Sequence, residues 1–273
     1  MKYLLKAAIL IGLGGLTACS TPGYRTLNPS CLSLDGAPKY QRDGHQDTTY
    51  VIARLAGHSD EDAARLAFFN QAADDLALRY AAPQVSVWGL FGAWGYRHRI
   101  NAVLHSLHGG DRNAVARRRA DLAAMVEARV RSSDSVDWQT GFLIHALGDS
   151  YAHTNPAGEA YGELYGHAMD GHAPDLVGNR RELYITYIEA LFDALERYTA
   201  SDRDALARLK RDLRALPEGD IDGHRAAILA MRTYYSSRPR LDCDALARTL
   251  DMGEVNRFLR DVEDGLDRSA SSS

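Results

Sequence analysis

The chain has 273 residues, 32 Lys and Arg against 36 Asp and Glu, and a formal net charge of -4. That mild acidity argues against a broad nucleic-acid-binding surface, so no stable nucleic-acid partner is expected, although a narrow catalytic groove stays open. Three cysteines without a Cys-x-x-Cys pair exclude a thiolate zinc knuckle.

Residues 1–18 place Lys2 and Lys6 around an apolar run that ends near Leu16, too short to span a bilayer and closed by small residues. They read as an export signal. Leu16-Thr17-Ala18-Cys19 resembles the lipobox of bacterial lipoproteins, which implies cleavage before Cys19, lipidation of its sulfur and acylation of its new amino group. Ser20 fits outer-membrane sorting in the same resemblance. The expectation is therefore a lipid-anchored protein of the bacterial envelope, facing the periplasm, where an oxidising compartment permits Cys31 and Cys243 to pair. About 255 residues then remain, enough for a core that needs no stapling. Residues 19–43 carry Pro, Gly and Ser without periodicity and read as a tether, 44–268 as one folded domain, and 269–273 as a disordered tail.

A short helix is expected from Gln46 to Ala56, stopped by Gly57. Ser59 offers an N-cap and Asp60, Glu61 and Asp62 an acidic first turn. Ala63, Leu66, Ala67, Asn70 and Asp74 follow at helical spacing, so this helix is expected to reach about Arg79. Ala82 to Tyr96, with Pro83, Gly89, Gly92, Gly95, Trp88 and Trp94, reads as an irregular excursion that covers a site, touches lipid, or is a surface loop with an apolar anchor. Arg112 to Arg131 predicts a basic helix with Val115, Leu122, Val126 and Val130 inward. Asp134 or Ser135 is expected to cap a central helix ending near Thr154-Asn155-Pro156, before a Gly- and Pro-rich loop to 178. Further helices are expected at 180–198 and near 202–215, 222–236, 241–250 and 253–266. Strand-like alternation is scarce, and the fold class is all-α, a single multi-helix domain.

In the central helix His145, Asp149 and His153 stand four apart. Each step of four turns only about 40° around the axis, so three metal-type ligands share one stripe. Burying an unpaired polar group costs on the order of 1–3 kcal/mol, so such a stripe requires partners. Nine of the ten histidines lie between residues 45 and 172. In chain order the sequence supplies His45, then Asp74 and Asp75, then His98, His105 and His108, then the central stripe, then His167, Asp170, His172 and Asp175. Imidazole with carboxylate is the ligand set that suits zinc.

That order resembles the all-α zinc-dependent phospholipase C and single-strand nuclease superfamily, built on His-x-x-x-Asp, a further His, and a last His with an acid a few residues on. The resemblance covers roughly residues 45–178. Tyr50-Val-Ile-Ala-Arg-Leu-Ala-Gly57 and Asn70-Gln-Ala-Ala-Asp-Asp75 also look like bacterial proteins of unassigned function with that fold. It implies zinc, two ions or the full three. His145 and Asp149 match the paired ligands, with Asp149 bridging. His153 and either His167 or His172 would hold a second ion, with Asp170 or Asp175 as its carboxylate. Asp75, or its neighbour Asp74, matches the acid that orients or deprotonates the attacking water. His45 matches the early ligand, and one of His98, His105 and His108 the middle one. Two features depart from the family. His167 to Asp170 and His172 to Asp175 are three apart with Asp, where the family has Glu four on. The family's N-terminal amine is a ligand, whereas here Cys19 would be acylated. The implied activity is phosphodiester hydrolysis at the envelope, phospholipase C-like, on phospholipid or another phosphodiester. A single-strand nuclease-like enzyme and a non-catalytic lipoprotein that keeps the helical scaffold are the alternatives.

Overall fold

The computed structural model describes residues 41–75, 78–89, 92–132, 137–163, 166, 170–171, 173–197, 200–235 and 241–271. The export signal, Cys19, Ser20 and Cys31 lie outside them. Cys243 is disulfide-bonded, and its partner is not among the described residues.

The described residues form helices throughout, joined by turns, with two isolated antiparallel bridges. In order these are α1 (Thr48–Leu55), α2 (Asp60–Ala72), α3 (Ala82–Gly89), α4 (Trp94–His98), α5 (Arg112–Ser132), α6 (Trp138–Ala152), α7 (Arg181–Leu195), α8 (Arg203–Ala215), α9 (Ile221–Tyr235), α10 (Cys243–Arg248) and α11 (Met252–Ser271). Two π-helical segments, Gln41–Asp47 and Arg99–Leu104, precede α1 and follow α4. No described helix is long and apolar enough to cross a membrane.

The starts of these helices follow from short acidic or hydroxyl side chains that take up orphan N–H groups. Ser59 accepts from the Asp62 amide at 3.0 Å, Asp202 from Ala205 at 2.8 Å and Asp242 from Ala245 at 2.8 Å. Each cap contributes about 1 kcal/mol. The cap of α6 is Asp137, which accepts from the Thr140 amide at 3.0 Å; Asp134 and Ser135 lie outside the described residues. Gly57 ends α1 as expected: its φ is +95°, and a Cβ there would sit 2.9 Å from the Ala200 carbonyl carbon.

Three boundaries differ from expectation. Residues 41–43 already belong to the folded body, with Asp43 buried against Arg225. α2 stops at Ala72, because Asp74 and Asp75 turn back toward α2, their amides bonding Gln71 O and Ala72 O. The expected tail is largely helical, since α11 continues through Ser271.

α6 is the axis of the packing. Every residue from Thr140 to Ala152 is buried, so the helix is covered on all sides, by α2, α5 and α7 and at one end by the π-helical segments. Phe69 and Leu66 of α2, Phe142, Ile144 and Leu147 of α6 and Leu191 and Phe192 of α7 fill the centre. Burying each contributes about 1.5–3 kcal/mol. Gly141 allows this crossing, because a Cβ there would lie 2.3 Å from Phe69 Cβ and 3.0 Å from Phe69 C.

Candidate metal centre

A helix buried on all sides must satisfy its polar side chains internally. Thr140 bonds its own cap, Asp137, and Ser150 donates to Leu147 O at 2.6 Å. His145, fully buried, and Asp149, at 2 % exposure, instead face a convergence of side chains from three other segments and from the C-cap of α6 itself. The first π-helical segment brings His45, the turn after α2 brings Asp74, the turn after the second π-helical segment brings His105, and the C-cap of α6 is His153.

The distances are those of one cluster. His45 Nε2 lies 3.1 Å from Asp149 Oδ1 and 3.6 Å from Asp74 Oδ2. His145 Nε2 lies 3.2 Å from Asp149 Oδ2 and 3.9 Å from Asp74 Oδ1. His105 Nδ1 lies 3.0 Å from Asp149 Oδ2, 3.8 Å from Asp74 Oδ1 and 3.1 Å from His145 Nε2. Ligand-type atoms of His45, Asp74 and His145 fall within 4.8 Å of one another, as do those of His105, His145 and Asp149. These buried groups can hold a metal ion.

The hydrogen bonds of the cluster place the imidazole protons. A backbone carbonyl only accepts, so a ring nitrogen bonded to one carries the proton. His145 Nδ1 is 3.0 Å from Asn70 O and 3.1 Å from Asn70 Oδ1, and His105 Nε2 is 2.9 Å from Tyr80 O. With those protons placed, neutral His145 and His105 turn bare nitrogens toward each other and toward the two carboxylates. Lone pairs so opposed repel. A proton can bridge one such pair; a divalent cation held by either group of three accepts several lone pairs and balances carboxylate charge. Imidazoles whose other nitrogen donates to protein oxygen are also the usual form of an oriented metal ligand.

The electrostatics agree. Burial alone would raise the Asp149 carboxyl, but His153, and then His145, hold it well below the usual carboxylate range. Burial pushes His145 down, against Asp149. His45 is raised, because its hydrogen bond to Asp149 and the charges of Asp149 and Asp74 together outweigh burial. Their rings stand 4.3 Å apart, close enough that protonating one disfavours the other. Burial also opposes charge on His153, yet Asp149, Asp175 and the His105 carbonyl lift it to about 9.

His153 donates from Nδ1 to His105 O at 2.7 Å and stands with Nδ1 3.5 Å from Asp149 Oδ2. Its Nε2 is 3.7 Å from Asp175 Oδ1, an ion-pair distance. His167 and His172, expected there, lie outside the described residues. Asp170 is exposed and bonded by the Tyr161 hydroxyl. Asp74 faces His45, His105 and His145. Of the three middle histidines His105 enters the cluster. His98 is exposed between Glu163 and Glu263, at 3.3 and 3.1 Å. His108 turns the other way, accepting at Nδ1 from the Gly110 amide, and lines a separate cavity of about 310 Å³ with Arg117 and Arg118.

Sequence spacing did not single out Asn70 and Tyr80 as partners of the ligands, nor Ser106. Ser106 holds φ at +52° directly after His105 and donates to Ala146 O at 2.8 Å, turning the chain back onto α6. Carbonyl partners have no side-chain signal. Both π-helical segments border a cluster histidine, and such segments gather at functional sites.

Comparison with protein-family models, with curated proteins and with solved structures finds no match for this chain.

Proposed function

We propose that the His45, Asp74, His105, His145 and Asp149 cluster binds zinc and that the chain hydrolyses phosphodiesters, phospholipid being the substrate class suited to a lipid-anchored envelope protein. One observation carries the metal: two imidazole nitrogens whose protons are committed elsewhere face each other and two carboxylates at 3.0–3.9 Å. The donor set, imidazole and carboxylate without thiolate, fits zinc. A second ion belongs at His153 and Asp175. The reaction and the substrate class rest on the ordered ligand pattern and its resemblance, with the lipobox supplying the envelope.

Zinc held there supplies Lewis acidity toward a phosphoryl oxygen and lowers the pKa of water toward about 7. The protein's part is positional. Tyr80 O and Asn70 hold the His105 and His145 rings with one nitrogen inward, and the His105 carbonyl fixes His153 with Nε2 toward Asp175. Asp74 and Asp175 are partly exposed, at 11 % and 17 % of their side chains, so substrate and water enter on their side.

Elemental analysis of protein purified without chelator is expected to find at least one zinc per chain. Less than one sinks the metal assignment. Chelation is expected to abolish hydrolysis of bis(p-nitrophenyl) phosphate and added zinc to restore it; a fully zinc-loaded but inert protein sinks the enzyme and leaves the structural-zinc alternative. Head-group release from phosphatidylcholine vesicles, set against digestion of single-stranded DNA, separates the phospholipase from the nuclease.

A further inference from the structure

The metal cluster draws its ligands from distant parts of the chain, and one side chain outside it touches two of them. Asn70 is fully buried in the last turns of α2. Its Nδ2 donates to Thr49 Oγ1 at 2.6 Å and to the backbone carbonyl of His45 at 3.3 Å, while its Oδ1 and its own carbonyl lie 3.1 and 3.0 Å from His145 Nδ1. Because the His45 carbonyl can only accept, the amide cannot be turned round. Oδ1 must therefore face His145, and His145 must carry its proton on Nδ1. The carbonyl of residue 70 already leaves the inward nitrogen of His145 bare; the amide oxygen beside it holds the ring a second time, and the same side chain anchors the backbone of His45.

We propose that Asn70 is a positioning residue of the metal centre, whose side chain ties the His145 ring to the His45 segment so that both Nε2 atoms meet on Asp149. This rests on the metal-centre reading. The geometry explains why an amide is needed rather than a carboxylate or hydroxyl. Aspartate accepts from His145 but would face the His45 carbonyl with an oxygen. Serine is too short to reach both. Leucine fills the space and does neither.

Purely structural packing would make Asn70 matter to stability alone, so the test reads the metal. Zinc affinity is measured by chelator competition on the wild-type chain and on Asn70→Asp, Asn70→Leu and the control Thr186→Val, an exposed position on α7, at a temperature where circular dichroism shows each folded. Cobalt(II) absorption reports ligand geometry in the same samples. Asn70→Leu is expected to bind zinc about 10- to 100-fold more weakly, the range seen when partners that orient ligands are removed. Asn70→Asp should lie between it and wild type, and Thr186→Val close to wild type. The cobalt band should change in both Asn70 variants. If Asn70→Leu is too unstable to fold, Asn70→Asp and the cobalt spectrum still decide. Wild-type affinity and spectrum in folded Asn70→Asp and Asn70→Leu overturn the proposal while leaving the metal centre standing. A wild-type chain that binds neither ion overturns the metal reading itself.

Discussion

At the scale of single residues, histidine type alone says little and partners decide. His105 and His108 are three apart, yet one joins the carboxylates and the other accepts from Gly110 beside Arg118. Burial, and then the Arg118 guanidinium, push His108 down to about 4. The sign follows from linkage: the unfolded ring takes a proton below about 6.5 while the folded ring stays neutral to about 4, so the unfolded state binds more protons in that window. Stability from this group is complete above about 6.5 and is lost as pH falls toward 4. Because the ring is only half-buried, the loss is on the order of 1–2 kcal/mol. Denaturant titrations at pH 7 and pH 5 should show a larger drop for wild type than for His108→Gln. Equal drops in the two proteins would refute the assignment.

The same contrast explains what could be read in the sequence here. Crowded histidines and the ladder of four marked the cluster and placed His145 and Asp149 on one helix face. The choice of His105 over His98 and His108 depends on the π-helical segment at Arg99–Leu104 and on the strained φ of Ser106, which no periodicity announces. The place of Asp74 likewise depends on where α2 stops.

At the scale of elements, α6 carries two glycines for different reasons. Gly141 lets the helix axis approach α2, where a methyl group would meet backbone that cannot yield. Gly141→Ala should therefore destabilise the fold by about 1–3 kcal/mol through overpacking, despite alanine's better helix propensity. At Gly148 a Cβ would lie 3.1 Å from the Tyr187 hydroxyl and 3.4 Å from His45 Cε1. Those are side-chain tips. The strain there is relieved by a small shift, which alanine's propensity offsets by up to about 1 kcal/mol. Gly148→Ala should leave the denaturation midpoint nearly unchanged and weaken zinc binding about 10-fold by displacing the His45 ring. A variant with weaker stability and wild-type affinity would show that Gly148 serves packing alone. Most helices were legible from caps and periodicity, as with α7 to α11, because amphipathic faces and Ser or Asp caps act locally. The excursion at 82–96 was not: it forms α3 and α4 despite its glycines, leaving Trp94 at 57 % exposure.

At the scale of the whole molecule, none of the described C-terminal helices gives a side chain to the His and Asp cluster, but they hold the segment that carries His45. Arg232 of α9 pairs with Asp47, both nearly inaccessible, and Arg225 pairs with Asp43 at 2.5 Å, so α9 grips the π-helical segment on either side of His45. Sequence alone could not show this, because the partners lie far apart along the chain and neither has a local pattern. Burial pushes the Asp47 carboxyl up to about 6 even with Arg232 and Arg42 beside it, so desolvation is a large cost that the pair only partly offsets. Removing one partner leaves an uncompensated buried charge. Arg232→Met should cost about 3–5 kcal/mol at pH 8, whereas the double variant Asp47→Leu, Arg232→Met should recover most of that, because an apolar pair of similar volume carries no desolvation cost. The sign of the pH effect is also set. Protonated Asp47 needs no cation, so the single-variant deficit should shrink at pH 5, below the carboxyl's raised value. Chelator competition on the same proteins adds the link to the site: if α9 positions His45, zinc affinity falls in Arg232→Met and returns in the double variant alongside stability. A single variant that loses less than about 1 kcal/mol at pH 8 would show that the pair does not hold the segment. A double variant that regains stability without regaining zinc would show that the charges themselves, and not the grip they provide, set the geometry of the centre.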